Sequence, residues 1–184
     1  MSKITVWTRQ NKNVLKILRE EGRYIVRKEY ICAENEEHTG LILQAYDWLV
    51  THGPHVDKKP KDVTYPVWVS YTHENTYAPG PKEALLTLSV DAEDVTPINI
   101  AKWGMILNYS YIPQDAADSK QHQEMLSAYG INDAQAVMTQ FYPEVKREIM
   151  SSWSRLFDKN IQPGNAFQYG NIWEIKKAWV VEGL

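Results

Sequence analysis

The stretch Ile4-Thr5-Val6-Trp7-Thr8-Arg9-Gln10 decides the fold, because it predicts a β-strand at the head of a series of strands and helices. Its aliphatic residues alternate with Thr5, Trp7 and Arg9, which is the period of a strand with two different faces. Asn11 is suited to cap a helix that follows, and Gly22 to end it. The opening therefore predicts a strand that passes directly into a helix.

Working outward, apolar periodicity predicts the remaining elements. Strands are predicted at residues 67–71, 84–90, 172–177 and 179–181, with a strand-like stretch from Arg23 to Ile31. Helices are predicted at residues 36–52, 100–107, 119–129 and 132–141, and another from Pro143. The segment from Lys159 to Gly170 is rich in Gly, Pro and Asn and predicts a loop.

These elements indicate an α+β fold, because strands near both ends of the chain do not alternate regularly with helices. We expect a single mixed or antiparallel sheet that uses strands from both ends of the chain, with helices packed on it. The length of 184 residues predicts one domain, residues 1–184.

Composition disfavours several classes of protein. The net charge of −3 argues against nucleic-acid binding, which normally requires a basic surface. No apolar run approaches the roughly 20 residues of a membrane span, and no signal-peptide core is present, so we expect no membrane association and a cytoplasmic location. Cys32 is the one cysteine, which excludes an intrachain disulfide. Oligomeric state is not readable from the sequence.

Standard catalytic motifs are missing from the sequence. It contains no phosphate-binding loop, no GxGxxG, no GxSxG and no HExxH. The five histidines and Cys32 lack the spacing of a zinc site, so no metal is expected.

Tryptophan and tyrosine dominate the aromatic residues, with seven Trp and eleven Tyr against three Phe. Trp48, Trp103 and Trp153 lie on apolar helical stripes and are interpreted as core residues. Trp7 and Trp68 lie opposite their aliphatic strand neighbours, so one face of the sheet is predicted to be aliphatic and the other aromatic. The aromatic face is explained either by a pocket that stacks a planar group or by a sheet buried on both sides.

Several short motifs resemble a family of bacterial and phage proteins of about this length that is known only as a domain of unknown function. The resemblance covers nearly the whole chain, and the family implies no activity or site residue. It is carried by Val6-Trp7-Thr8-Arg9-Gln10, Ile17-Leu18-Arg19-Glu20-Glu21-Gly22, Ala45-Tyr46-Asp47-Trp48-Leu49, Pro66-Val67-Trp68, Leu86-Thr87-Leu88-Ser89-Val90, Trp103 to Asn108 and Ser152-Trp153.

The order of Arg9, Ser70-Tyr71-Thr72 and Glu174 also resembles, at the level of the fold, the Arg…Ser-x-[Ser/Thr]…Glu order of one class of ADP-ribosyltransferases. The sequence departs from that class at Ile172, where a Glu or Gln is expected two residues before the glutamate. Analogy of fold alone does not establish function.

This second resemblance implies an NAD-binding protein, active or degenerate. Arg9 is implied to hold an NAD phosphate, and Ser70 and Thr72 to shape the nicotinamide pocket. Trp68 or Tyr71 is implied to stack on a planar ring. Glu174 is implied to be the catalytic residue, bonding a ribose hydroxyl and stabilising the positive charge that develops as nicotinamide leaves.

Two alternatives stay open. Arg9 and Glu174 are alternatively explained as members of an exposed cross-strand charge pair, which is the interpretation that we favour. The chain as a whole is alternatively a non-catalytic module of bacterial or phage origin that binds or regulates another protein. The partner is therefore either a small nucleotide, with NAD as the candidate, or a protein.

Overall fold

The protein is described by a computed structural model that covers residues 2–26, 28, 39–76, 78–162, 164 and 167–184, without the side chains of residues 39 and 41. The chain divides into two compact units, which we call the sheet unit (Met1–Pro97 and Gln168–Leu184) and the helical unit (Ile98–Phe167). The single domain expected for residues 1–184 stays a prediction.

The sheet unit is built on a six-stranded sheet of order β5-β6-β3-β1-β4-β8, and a small second sheet pairs β2 with β7. The strands are β1 (Lys3–Asn11), β2 (Arg23–Tyr24), β3 (Val67–Ser70), β4 (Glu83–Asp91), β5 (Thr96–Asn99), β6 (Gln168–Ile172), β7 (Ile175–Lys176) and β8 (Val180–Glu182). The predicted α+β class is confirmed, as is an antiparallel sheet that draws strands from both ends of the chain.

Strand register sorts the side chains of the sheet onto two different faces. β1 pairs with β4 from Lys3↔Asp91 to Asn11↔Glu83, and with β3 at Trp7↔Ser70. One face is aliphatic and fully buried, with members from four strands: Val6, Val67, Val69, Leu86, Leu88, Val90 and Ile172. The opposite face, which we call the polar face, carries Trp7, Arg9, Trp68, Ser70 and Asn171 because neighbouring strand residues point to opposite sides.

The first helix of the sheet unit begins and ends where its capping residues predict. In α1 (Lys12–Glu21), the Asn11 side chain accepts a hydrogen bond from the Asn13 amide, and Gly22 adopts a left-handed φ of 74°. This conformation favours glycine and allows the Gly22 amide to donate to the Leu18 carbonyl. The second helix, α2 (Thr39–His52), contributes Trp48 to the core, where it is 7% exposed.

The helical unit consists, in its described part, of four α-helices and a 3-10 helix. They are α3 (Ile100–Leu107), α4 (Ala116–Tyr129), α5 (Asp133–Met138), α6 (Pro143–Ser152) and the 3-10 helix Trp153–Phe157. Trp103 and Trp153 are buried, so the predicted core roles of both residues are confirmed. No helix among the described residues is long and apolar enough to cross a membrane.

Two strands occupy positions where the sequence did not predict them. β6 covers residues 168–172, so the predicted loop through Gly170 and the predicted strand start at residue 172 are both wrong. β5, at residues 96–99, has no counterpart in the prediction. Residues 27 and 29–31 of the predicted strand-like stretch, Cys32 and the predicted helix start at Glu36 lie outside the described residues.

Gly170 explains why β6 does not look like a strand. A Cβ atom at this position would overlap methyl groups of Val69 and Val95, so the close packing of the strand requires glycine. The close approach of the Val69 and Val95 side chains to the backbone of residue 170 therefore outweighs the weak strand propensity of glycine.

We expect Gly170→Ala to lower the free energy of unfolding by about 1–3 kcal/mol, because the added methyl group overpacks the sheet. Gly104→Ala is the matched control, since Gly104 lies in α3 and its added Cβ meets nothing within 4 Å. The control should leave stability unchanged or raise it by up to about 1 kcal/mol. Urea unfolding measures both changes, and equal stabilities of the two variants would contradict the packing argument.

Candidate functional site

The sequence-predicted residues Arg9, Trp68 and Ser70 share the polar face. Trp68 pairs with Asn171 on β6, and extending the Trp7↔Ser70 register by two residues places Arg9 opposite Trp68. Arg9, Trp68 and Asn171 therefore form a row across three adjacent strands. With strands about 4.8 Å apart, the backbones of Arg9 and Asn171 are separated by on the order of 10 Å.

Each of these predicted residues already has a partner. The Arg9 Nε atom lies 3.5 Å from Glu83 Oε1 on β4, and the Arg9 side chain is 41% exposed. The Trp68 indole donates to the Tyr46 hydroxyl at 2.8 Å. The Ser70 hydroxyl donates to the Thr72 carbonyl at 2.7 Å and accepts from the Thr72 amide at 3.2 Å.

Tyr71 and Thr72 lie at the end of β3 rather than on the polar face. Tyr71 is half-buried against the aliphatic core, and burial raises the pKa of its hydroxyl. Thr72 lies in the exposed loop that follows. Glu174 follows Tyr169, the partner of Ser70, by five residues, which is on the order of 15 Å along a strand. Ser70 and Thr72 therefore lie at one end of β3 and β6, and Glu174 at the other.

Glu174 is held by two cations at the turn between β6 and β7. Arg23 donates to one carboxylate oxygen, and Lys176 lies 3.3 Å from the other. Arg23 also pairs with Asp62 at 2.7 Å, and this hydrogen bond both raises the pKa of Arg23 and lowers that of Asp62. The Glu174 side chain is 13% exposed, so its carboxylate is largely enclosed.

A pocket of about 130 Å³ opens beside Glu174, and we call it the Glu174 pocket. Its walls combine two indoles, an imidazole and charged groups of both signs: His55, Lys58, Pro60, Asp94, Trp173, Glu174, Lys176 and Trp179. The Trp173 indole donates to the His55 carbonyl at 2.9 Å, which fixes the orientation of its ring. The Lys176 ammonium lies 4.9 Å from the centroid of the Trp179 ring, which holds that lysine at the wall.

A smaller cavity of about 10 Å³ shares His55 and Trp173 with the Glu174 pocket, and we call it the Asn171 cavity. Asn171 is 6% exposed, and its Oδ1 atom is buried without a hydrogen-bond partner among the residues that the structure describes. A nearby buried polar contact joins His55 Nδ1 to the Thr96 hydroxyl at 3.0 Å. An unsatisfied buried acceptor costs about 1–3 kcal/mol, so the free oxygen of Asn171 requires an explanation.

The helical unit contains a separate buried ion cluster centred on His122. His122 lies on α4 and is 5% exposed, and its two ring nitrogens bond to Asp133 at 2.7 Å and Glu148 at 3.0 Å. The ring stacks on Tyr111 with centroids 4.0 Å apart. Arg155 lies 5.1 Å from the Tyr111 ring centroid.

The remaining contacts of this cluster occupy Asp118 and Asp133. Asp118 accepts from the Tyr111 hydroxyl and from Arg155, both at 2.8 Å. Asp133 accepts from the Tyr111 amide at 2.8 Å with its second oxygen. A groove of about 500 Å³ runs beside Tyr111, His122 and Asp133. Because both nitrogens of His122 are occupied, the imidazole ties α4, α5 and α6 together and is not free to act as a base.

Sequence reasoning missed Asn171, Trp173 and His55 because their signals are spatial. Asn171 falls between the predicted loop, which ends at Gly170, and the predicted strand, which starts at residue 172, and Trp173 was predicted only as a strand residue. No motif marks His55, and only the fold brings it to Trp173 and Thr96. No group of three or more residues able to hold a metal ion occurs in the described part of the chain.

The fold and pockets define a two-unit α+β protein with an enclosed carboxylate between aromatic side chains. Comparison with family models identifies it further: residues 5–181 match the domain of unknown function DUF3841, and the chain belongs to this family. No curated protein and no solved structure matches the chain significantly.

His122 makes the stability of the protein dependent on pH. Burial disfavours the imidazolium, but the hydrogen bonds of Asp133 and Glu148 outweigh it and raise the pKa of His122. Its stabilisation is therefore complete below the ordinary imidazole pKa of about 6.5 and is lost as pH rises through the higher folded value.

We expect the free energy of unfolding, measured in urea between pH 6 and pH 9, to fall with rising pH in the unaltered protein. His122→Gln should remove this fall and lower stability at pH 6 by about 1–2 kcal/mol, because it leaves Asp133 and the solvent-screened Glu148 without their cation. His73→Gln, at an exposed position, should keep the fall. If the His122 variant showed the same pH dependence as the unaltered protein, the assignment of the fall in stability to His122 would be refuted.

Proposed function

We propose that the sheet unit binds a nucleotide of the NAD class at the Glu174 pocket. The observation that carries the proposal is the position of Glu174, whose carboxylate is held by Arg23 and Lys176 in the wall of a pocket that also contains Trp173 and Trp179. Enclosed carboxylates and indoles are suited to ribose hydroxyls and to planar rings, respectively.

The volume and the charged residues of the Glu174 pocket determine which part of a nucleotide it can bind. About 130 Å³ suits one ring or sugar and not a whole dinucleotide. Lys58 and Lys176 are 41% and 50% exposed and are paired with Asp94 and Glu174, so a phosphate outside the pocket would share their ammonium groups with these carboxylates. Arg9 is the further phosphate contact that the sequence predicts, on the order of 10 Å from Asn171 across the polar face.

The reaction that this arrangement supports is transfer of ADP-ribose. Each oxygen of Glu174 accepts one cationic donor and retains a lone pair for a ribose hydroxyl. The bond between ribose and nicotinamide breaks, and its electron pair leaves with the nicotinamide nitrogen. The carboxylate stabilises the positive charge left on the sugar, which a hydroxyl or another nucleophile then captures with loss of its proton. A degenerate member would retain only the binding step.

Titration of the purified protein with NAD, ADP-ribose and ATP, followed by thermal unfolding, tests the proposal. At ten times the dissociation constant, NAD should stabilise the protein by about 1.4 kcal/mol, or roughly 3–5 °C. Glu174→Gln should weaken binding at least tenfold and abolish any transfer, because the neutral amide stabilises developing positive charge poorly.

Glu20→Gln is the matched control, since it makes the same charge change at an exposed position on α1. It should bind NAD as the unaltered protein does. The absence of a shift with millimolar NAD and ADP-ribose would eliminate the proposal, as would equal binding by the two variants.

A second candidate function, binding of another protein without catalysis, is favoured by apolar side chains exposed on the helical unit. Phe141 is 83% exposed and Met138, three residues earlier, is 60% exposed. Exposed large apolar side chains that occur together are typical of interaction surfaces.

If this surface binds a second copy of the chain, the sedimentation coefficient should rise with protein concentration. The double substitution Met138→Ser and Phe141→Ser should remove the rise, because it removes the apolar area that association would bury. Gln140→Ser, an exposed neighbour, should keep it. A constant sedimentation coefficient in the unaltered protein would exclude self-association through this surface.

A further inference from the structure

The Asn171 cavity contains an acceptor that lacks a donor. The Asn171 Nδ2 atom donates to the Gly170 carbonyl at 3.2 Å, which fixes the orientation of the amide and leaves Oδ1 as the free atom. The side chain is 94% buried, so bulk water does not satisfy this oxygen. Among the described residues, Asp91 Oδ1 is the other such atom, and the second oxygen of that carboxylate is held by Lys3.

The size of the cavity limits its occupant to a small donor group. A volume of about 10 Å³ holds one water molecule, or a group of similar size such as an NH₂. The other lining residues are Leu49, Gly53, His55, Pro66, Thr96 and Trp173, which include no Lys or Arg. An uncharged donor is therefore favoured, and an anion would meet the carbonyl oxygen of Asn171 without a fixed cation to offset it.

The cavity adjoins the Glu174 pocket, because His55 and Trp173 line both. A planar ring stacked on Trp173 in that pocket would point a substituent towards Asn171 and leave an attached sugar near Glu174. We infer that Asn171 Oδ1 accepts a hydrogen bond from the carboxamide NH₂ of the bound nucleotide and so selects a carboxamide over a carboxylate. This inference rests on the proposed binding of an NAD-class nucleotide.

Three ligands separate the inference from the proposal on which it rests. NAD carries the carboxamide, nicotinic acid adenine dinucleotide replaces it with a carboxylate, and ADP-ribose lacks the ring. Dissociation constants are measured by calorimetry at pH 8, where an ordinary histidine is uncharged. We expect NAD to bind at least tenfold more tightly than the acid analogue.

Two variants at one position assign the preference to Asn171. Asn171→Leu should weaken NAD about tenfold and leave ADP-ribose unchanged, which also shows that the variant is folded. Asn171→Asp retains an acceptor oxygen and should keep NAD binding while rejecting the acid analogue more strongly.

Each outcome bears on a different claim. The inference would be overturned by equal affinities for NAD and the acid analogue, or by an unchanged NAD affinity in Asn171→Leu. Either result would mean that the cavity holds a water only, and the proposed function would still stand. Failure of both NAD and ADP-ribose to bind would overturn the proposed function and the inference together.

Discussion

Antiparallel pairing along the whole of β1 is the constraint on which the sheet unit depends. All nine residues of β1 pair with β4, and the other edge of β1 meets β3. A shift of one residue would turn Val6 to the polar face and Trp7 into the aliphatic core. Full burial of aliphatic side chains such as Val6, Leu86 and Leu88 contributes about 1.5–3 kcal/mol each, which makes this register strongly preferred. The same register aligns Arg9, Trp68 and Asn171 in one row.

The two faces of the sheet differ in whether their buried polar side chains have hydrogen-bond partners. Thr8 is a buried polar residue on the aliphatic face and Asn171 is one on the polar face, and each requires hydrogen-bond partners. Thr8 donates to the Trp68 carbonyl and also accepts from Gln10, so it is satisfied. Asn171 is not, and a buried carbonyl oxygen without a donor costs about 1–3 kcal/mol. A leucine of similar volume would avoid that cost, so the presence of asparagine is more readily explained by what it contacts than by stability.

The sequence predicted those helices and strands whose formation depends on neighbouring residues. Alternation predicted β1 and β4, and Asn11 and Gly22 predicted the ends of α1, because strand periodicity and helix capping depend only on neighbouring residues. β6 was missed because Gly170 is required by Val69 and Val95, which lie about 100 and 75 residues away. Of the residues at the Glu174 pocket, the sequence predicted only Glu174 as a site residue. That prediction came from the order of Arg9, Ser70 and Glu174 along the chain. Arg23 approaches Glu174 from 151 residues away in the sequence. Asn171 is only three residues from Glu174, but its burial depends on β6, which no local pattern predicted.

The two buried charge clusters differ in the capacity that remains for a ligand. In the helical unit, both nitrogens of His122 and both oxygens of Asp133 are used within the protein, so the cluster holds helices together but offers a ligand little. In the sheet unit, Arg23 and Lys176 each approach one oxygen of Glu174 from the protein side, and the carboxylate still borders a pocket. The larger groove lies beside His122, but the imidazole and the Asp133 carboxylate that line it already bond to each other, so these charged groups give little orientation to a ligand. Free lone pairs next to aromatic walls, rather than the number of charges, therefore favour the sheet unit as the site of function.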